Sequence, residues 1–509
     1  MLGIFNGTRS DHPLADVKEA KRLLEALPAG EPLRALEEIV HWLGQLRAEA
    51  GFKPEARAQL VQLLDEAGQA PARKLAREYL SAARIGKQQE SQLWTTLHAF
   101  HEQSAVGYLM CLDAYATGAK GGDALKRSLP LLGVRGLRAL AARLKWLQLR
   151  YGPVDEQLWT MLCRTYALLA SRKLSRTSVA VYPGVSTEST PEMEFLRAAM
   201  LSACSVASLL PAEIEIAERV IALWSPHFVI DPVQQPETPY WIDLAEAKPP
   251  VRMARPPQPA PGVRFFGAGR AFAELEALAQ QIRKTREVPP AISLGGACTP
   301  DAVLAVLEHL EHHWSPKLPE RRHPRHRVKS RLTIAWGFEG ILEVLRPCST
   351  SSLDGTRFES WIVENVSVGG FGALVPQVRG DWLRIGCLLA MQPEGGDNWL
   401  IGVVRRLSRP SLSQAAVGIQ TLARSAAPIE LRVQVGGTTT LDTETAILLD
   451  PGQLGGEVQI LLPAGVHAPG ESFVFDYKGL RTMLVPLGVA ERRNDYELLR
   501  CSHLIRDAA

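Results

Sequence analysis

The sequence lacks paired cysteines. Its seven cysteines stand at 111, 163, 204, 298, 348, 387 and 501, none in a C-x-x-C pair. An odd count at irregular spacing excludes a disulfide framework or a zinc-binding knuckle, and such usage leads us to expect a cytoplasmic protein. Long apolar runs are missing too: no stretch of 18 apolar residues occurs, so no membrane span is expected. Met1 to Asp11 carries only Leu2, Ile4 and Phe5 as an apolar patch, and no basic segment leads into it, so no secretory signal is expected. Charge of one sign is scarce. A net charge of +3 and a pI near 8.4 argue against a general nucleic-acid binder, and 6% aromatic residues give no stacking platform for RNA.

The motifs of common enzyme classes are also missing. The chain has no G-x-S-x-G, no Walker A sequence, no H-E-x-x-H and no G-x-G-x-x-G in a suitable context. No catalytic residue and no cofactor are therefore expected. Phe266-Gly-Ala-Gly-Arg270 resembles a phosphate loop on its surface, but without a strand–turn–helix unit around it an ordinary helix N-terminus is the simpler reading. His309, His312 and His313 cluster near the end of a predicted helix. No cysteine or carboxylate set completes a metal site there, and histidines at a helix C-terminus complement its dipole, so no metal is expected.

What is present is length and periodicity. At roughly 100–200 residues per domain, 509 residues make about three folded units. From 12 to 226 apolar residues recur at three- and four-residue steps: Val17, Ala20, Leu24 and Leu27; Leu33, Leu36, Val40, Leu43 and Leu46; Leu158, Leu162, Tyr166 and Leu169. Each set marks one face of a helix, so this half is expected to be an α-solenoid or a helical bundle. Prolines then accumulate across 227–262, which predicts an extended linker interrupted by a strand-like piece at Tyr240-Trp241-Ile242. A short helical segment, 263–316, follows, with Thr299-Pro300-Asp301 as an N-cap followed by proline at the first helical position.

Beyond residue 331 the period changes to short β-branched runs separated by turn residues. Strands are predicted at Leu332 to Trp336, Ile341 to Leu345, Phe358 to Glu364, Phe371 to Val375, Cys387 to Gln392, Trp399 to Arg405 and Ala415 to Gln420. So many short strands in one stretch indicate a small barrel or sandwich. A second all-β domain is expected over 426–509, with strands at Glu430 to Val435, Glu457 to Leu462, Ser472 to Tyr477, Thr482 to Pro486 and Tyr496 to Cys501. The fold class is thus α+β and multidomain.

Two local patterns carry the chemistry. Arg321-Arg322-His323-Pro324-Arg325 precedes the first β-domain, and Asn365-Val366-Ser367-Val368-Gly369-Gly370 lies between two of its predicted strands. Arginine offers a planar fork of donors that fits phosphate oxygens and the O6/N7 edge of guanine. Asn365 pairs a donor with an acceptor, Ser367 supplies a hydroxyl, and Gly369 and Gly370 let backbone approach a ligand closely. In this order the two patterns resemble the PilZ family signature, R-x-x-x-R followed by [D/N]-x-S-x-x-G, over roughly 318–425. The resemblance implies a β-barrel at 317–425 with an N-terminal arginine arm, 317–331, and a receptor for cyclic di-GMP. It implies Arg321, Arg325, Asn365, Ser367 and Gly370 as ligand contacts, together with Gly369, and Arg322 and Arg327 are reserve candidates.

The gap from Arg325 to Asn365 is longer than the family pattern, and an enlarged hairpin loop at 346–355 is expected to account for it. The arginine register has an alternative, Arg327 and Arg331. Neither a diguanylate cyclase nor a cyclic di-GMP phosphodiesterase motif is present. The resemblance further implies control of motility, pili or biofilm, with the helical half binding an unidentified protein partner. A PilZ-like scaffold that has lost the nucleotide is the alternative. The C-terminal β-domain lacks the N-x-S-x-x-G turn and reads as a degenerate barrel.

Overall fold

A computed structural model of the chain describes residues 14 and 17–505, apart from 29, 50, 82–85, 247, 294–297, 319–322, 347–357, 436–437, 454–455, 478–479 and 494. Residue contacts divide it into two units, Met1–Glu320 and Arg321–Ala509.

The first unit begins with helices α1 (Val17–Glu25), α2 (Pro32–Ala48), α3 (Pro54–Leu80), α4 (Lys87–Ala116), α5 (Leu129–Gln148) and α6 (Glu156–Ser171). A two-stranded hairpin, β1 (Val179–Ala180) and β2 (Glu188–Ser189), leads to α7 (Pro191–Ala203) and α8 (Pro211–Trp224). The predicted stripes face the core in large part. Leu36, Leu43 and Leu46 of α2 and Leu158, Leu162 and Leu169 of α6 lie almost wholly inside, whereas Leu33 and Val40 are partly buried and Ile39, outside the expected stripe, takes the buried place. Local chemistry sets several helix starts: the Asp155 carboxylate accepts from the Leu158 N–H at 2.7 Å, and Thr190 accepts from Met193 at 3.1 Å. Helix α4 packs against α2, α3 and α5, which makes a bundle.

The stretch 227–262, expected to be an extended linker, is instead folded. Strands β3 (Val229–Asp231), β4 (Tyr240–Asp243), β5 (Val251–Arg252) and β6 (Val263–Gly267) form a sheet in the order β3-β6-β4-β5. Phe228, Ile230, Tyr240, Ile242 and Phe266 join the helical core, and the Tyr240 hydroxyl donates to the His313 carbonyl at 2.7 Å. The prolines flank short strands, and the apolar residues between them are numerous enough to bury. Helices α9 (Ala271–Thr285) and α10 (Pro300–Trp314) complete the unit, and the Thr299 hydroxyl caps α10 by accepting from Ala302 at 3.3 Å.

Strand β6, the turn at 268–270 and α9 form a strand–turn–helix unit that the sequence reading did not anticipate. Its glycines face protein backbone. A Cβ on Gly269 would lie 2.5 Å from the His227 carbonyl oxygen, and one on Gly267 would lie 2.1 Å from that of Glu237. Close packing of backbone explains these glycines without a phosphate.

One buried network in this unit pairs its charges. Glu194 accepts from Arg138 and Arg197; Arg197 donates to Glu218 at 2.6 Å; Lys145 donates to Glu215 at 2.8 Å and lies 3.6 Å from Glu218. Burial pushes the Glu218 carboxyl up, but Lys145 and Arg197 outweigh it and bring its pKa from 4.5 down to about 2.

The second unit holds two closed six-stranded barrels. The first consists of β7 (His326–Trp336), β8 (Phe358–Ser367), β9 (Gly370–Val375), β10 (Leu388–Pro393), β11 (Leu400–Ser408) and β12 (Ala415–Ala423), closed in the order β10-β11-β12-β9-β8-β7. Between β7 and β8 lies helix α11 (Gly337–Leu345). A strand was expected at Ile341 to Leu345. Gly337, at φ +75°, ends β7, and Phe338, Ile341, Leu342 and Leu345 then follow helical spacing, with Ile341 and Leu342 buried. This inserted helix lengthens the segment between Arg325 and Asn365. The hairpin loop expected at 346–355 lies outside the described residues from 347 onward. Residues 326–331, expected in a flexible arm, are the first half of β7.

The second barrel comprises β13 (Ala426–Val435), β14 (Thr438–Leu449), β15 (Gly456–Pro463), β16 (Ser472–Tyr477), β17 (Leu480–Arg492) and β18 (Tyr496–Ile505), in the order β13-β14-β15-β18-β17-β16. Strand β14 was not anticipated, because its first two thirds, Thr438 to Thr445, are polar apart from Leu441. The barrels share an apolar face. Leu388 and Ala390 of β10, Ile401 and Val403 of β11, and Ile341 of α11 pack with Ile447, Leu461, Tyr496 and Leu498 of the second barrel. Residues Leu388 to Met391 are all fully buried, so β10 is covered on both faces and reads as a continuous apolar run.

The depressed Glu218 carboxyl makes the stability of the first unit sensitive to acid. A folded pKa below the unfolded one contributes stability that is present above about pH 4.5 and is lost as pH falls toward about 2. Glu218→Gln should therefore cost about 3 kcal/mol near pH 7, where it leaves buried cations short of a partner, and clearly less at pH 3. Urea titrations of both proteins at the two pH values check this; an equal gap at each would mean that Glu218 is not held ionised.

Candidate functional site

Three strand features assemble a pocket on the first barrel. The first is the tight connection from β8 to β9, in which Ser367 pairs with Gly370 and Val368-Gly369 makes the turn. The Thr421 N–H donates to the Gly369 carbonyl at 3.1 Å and ties the turn to β12. Gly370 has φ +152°, and a Cβ there would lie 1.9 Å from the Ile419 carbonyl oxygen, so only glycine fits. A Cβ on Gly372, which pairs with Asn365, would meet the Asn365 amide nitrogen at 2.6 Å; glycine leaves that side chain its place.

The second feature is the entry of the chain into β7. His326 pairs with Val366 and Arg327 with Asn365, before a register shift at Val328-Lys329. His323 and Arg325 are thereby carried to the turn, and the His323 ring comes within reach of Gly369.

The third is a bulge in β11. Val404 pairs with Ile419 and Arg406 with Gly418, leaving Arg405 as the extra residue. On a regular strand neighbouring side chains face opposite ways; the bulge brings Arg405 and Arg406 to the same pocket. Gly418 lets the stem of Arg406 lie close, with a would-be Cβ 3.1 Å from it.

The result is a cavity of about 340 Å³ lined by His323, Arg325, Asn365, Ser367, Gly369, Gly370, Arg405, Arg406 and Gln420, among others. A groove of about 1110 Å³ shares Arg325 and Asn365 with it and runs past Arg327, Lys329 and Arg331. Among the described residues neither Arg325 nor Arg406 has an ion-pair partner. Arg406 has its pKa lowered by loss of hydration and by the charge of Arg325. Arginine keeps its proton regardless, so two like charges face one cavity uncompensated. An anion is the natural counterpart. Ser367 donates weakly to the Gly370 carbonyl, at 3.4 Å.

Of the residues singled out in the sequence, Arg325, Asn365, Ser367, Gly369 and Gly370 come together. Arg321 and Arg322 lie outside the described residues. Arg327 and Arg331, the alternative register, line the neighbouring groove, where Arg331 also donates to Ser360 at 3.0 Å. Arg405, Arg406 and Gln420 were missed as site residues. The available signal was two adjacent arginines at the end of an apolar strand, which a regular strand would send to opposite faces.

Among the described residues no group of three or more His, Cys, Asp or Glu is placed to hold a metal. His309 bonds the Cys204 carbonyl at 2.6 Å instead, and burial lowers its pKa. No helix among the described residues is long and apolar enough to cross a membrane.

Over residues 18–236 the chain matches the family described as the cyclic-di-GMP receptor FimW, N-terminal domain. This FimW-type segment spans α1 to α8 and reaches β3; it ends before the barrels. The helical half is thus similar to part of a cyclic-di-GMP receptor family, on residues independent of those that form the basic pocket. No curated protein matches the chain.

Gly370→Ala should destabilise the first barrel by more than about 2 kcal/mol, since the clash is with backbone. A thermal melt checks it; an unchanged transition would mean that the turn relaxes away from β12.

Proposed function

We propose that the chain is a cyclic-di-GMP receptor whose first barrel, of PilZ type, binds the nucleotide in the basic pocket on its outer wall. The observation that carries this reading is the convergence of Arg325 and Arg406, without an ion-pair partner among the described residues, on the Asn365-x-Ser367-x-x-Gly370 turn. The FimW-type match of 18–236 supports it independently. The ligand is doubly anionic and carries two guanines. Arg325 and Arg406 neutralise phosphate and can stack on a purine face, Asn365 offers a donor and an acceptor to a base edge, and Ser367 offers a hydroxyl. Arg321 and Arg322, just ahead of this site in the chain, add cations to the same ligand. The protein acts by binding, without catalysis and without a cofactor.

The output we assign is control of motility, pili or biofilm in the cytoplasm, with the helical half engaging a protein partner. Ligand binding draws the segment ahead of β7 onto the barrel. Because that segment joins the two units, their arrangement changes. Small-angle scattering with and without cyclic di-GMP should show a change of shape, and identical curves at saturation would sink the switch.

Isothermal titration of the whole chain with cyclic di-GMP tests the receptor reading. Binding is expected, with Arg325→Ala and Arg406→Ala each weaker by roughly ten- to a hundredfold, as for loss of a charge-assisted contact of about 1.5–3 kcal/mol. No heat and no competition by the wild type would leave a scaffold without ligand as the better description.

A further inference from the structure

One arginine of the pocket is not free. Arg405 donates from Nη1 to Glu491 Oε1 at 2.6 Å and from Nη2 to Oε2, a bidentate pair with a carboxylate that belongs to β17 of the second barrel. A second cation holds the same carboxylate: Arg493 Nε donates to Glu491 Oε1 at 2.6 Å. Strand β17 shifts register between Val489 and Glu491, so a bulge aims Glu491 just as a bulge in β11 aims Arg405. Gly386, at φ +83°, leaves room for the Arg493 side chain, 3.2 Å from where a Cβ would sit. Glu491 is 14% exposed; burial raises its pKa, but Arg405 and Arg493 bring it down to about 2.

Arg405 in turn donates from Nε to Gln420 Oε1 at 2.8 Å. Because Nε–H can only donate, the oxygen of the Gln420 amide is the end that faces it. The amide nitrogen, a donor, is the end left for the cavity that Gln420 lines. Among the described residues that nitrogen has no partner.

We propose that Glu491 is a positioning residue for nucleotide recognition: through Arg405 it fixes the Gln420 amide so that its N–H₂ group faces an acceptor on the dinucleotide. The second barrel, which lacks a binding turn of its own, thus completes the site on the first. The proposal rests on the cyclic-di-GMP reading of the pocket. Arg405, neutralised by Glu491, serves as a strut, while Arg325 and Arg406 supply the uncompensated charge.

A double-mutant cycle read by titration of the whole chain with cyclic di-GMP tests it. Glu491→Ala should weaken binding about tenfold, and Gln420→Ala should do the same. In an Arg405→Ala background, Glu491→Ala should cause no further loss. A thermal melt reports whether each variant folds; if Glu491→Ala does not, the isosteric Glu491→Gln replaces it, with a loss of about threefold. Unchanged affinity in the Glu491 variant would overturn the proposal. So would tighter binding, which would make Glu491 a competitor of the ligand, or an equal loss with Arg405 already removed, which would mean a general loosening of the barrels. If the wild type itself does not bind, the receptor reading falls and takes this inference with it; that outcome is told apart by the wild-type titration alone.

Discussion

Two guanidinium groups of the same sign, Arg325 and Arg406, share a cavity with no carboxylate between them among the described residues. Folding must tolerate that repulsion, because exposed charges are partly screened by water and salt. The surrounding structure is arranged to impose it. A glycine at 370 lets the β8–β9 turn press against the Ile419 carbonyl, a glycine at 418 admits the Arg406 stem, and a bulge at Arg405 turns two successive arginines to the same pocket. Elsewhere cations find acidic partners readily: Arg197 has Glu194 and Glu218, and Arg405 has Glu491. The pocket differs in setting two guanidinium groups face to face across one cavity, with no ion pair to either among the described residues, and that juxtaposition is what points to an anionic ligand.

The pocket draws on strands that are neighbours in the closed barrel but far apart in the chain. Strand β9 lies between β8 and β12, so the residues after 365 and those near 406 and 420 meet only once β12 has paired with β9. Helix α11 between β7 and β8 changes the spacing of the two motifs along the chain and leaves their meeting intact, because β7 still pairs with β8 from His326 onward. Chain separation between Arg325 and Asn365 is thus a poor guide to their distance, whereas strand register is a direct one.

Much of this was legible in the sequence for a simple reason: period and turn chemistry are local. The helical stripes at Leu36, Leu43 and Leu46, the Thr299 cap, the strands from Phe358 to Gln420 and the Asn365 to Gly370 turn all follow from neighbouring residues. The failures share a cause as well. Phe338 to Leu345 is too short a run to separate helix from strand until Gly337 is known to break the chain direction. Prolines between 227 and 262 outweighed Phe228, Ile230 and Tyr240, whose burial depends on distant helices. Strand β14 begins with a polar, threonine-rich run that shows no apolar alternation in the sequence. Arg405 and Arg406 could be recognised only from a bulge, a property of two paired strands and of neither alone.

The wall common to both barrels bears on how the polypeptide is made. When the ribosome has released residue 425, β10 and β11 carry an outer surface of Leu388, Ala390, Ile401 and Val403 whose cover is still to be synthesised. At roughly 5–20 residues per second the missing strands follow within about 4 to 17 seconds, and until then the nascent chain shows a sticky, apolar surface of the kind chaperones hold. A premature stop codon in this interval would yield a product recognised by quality control for its greasy flank, whatever the state of its basic pocket.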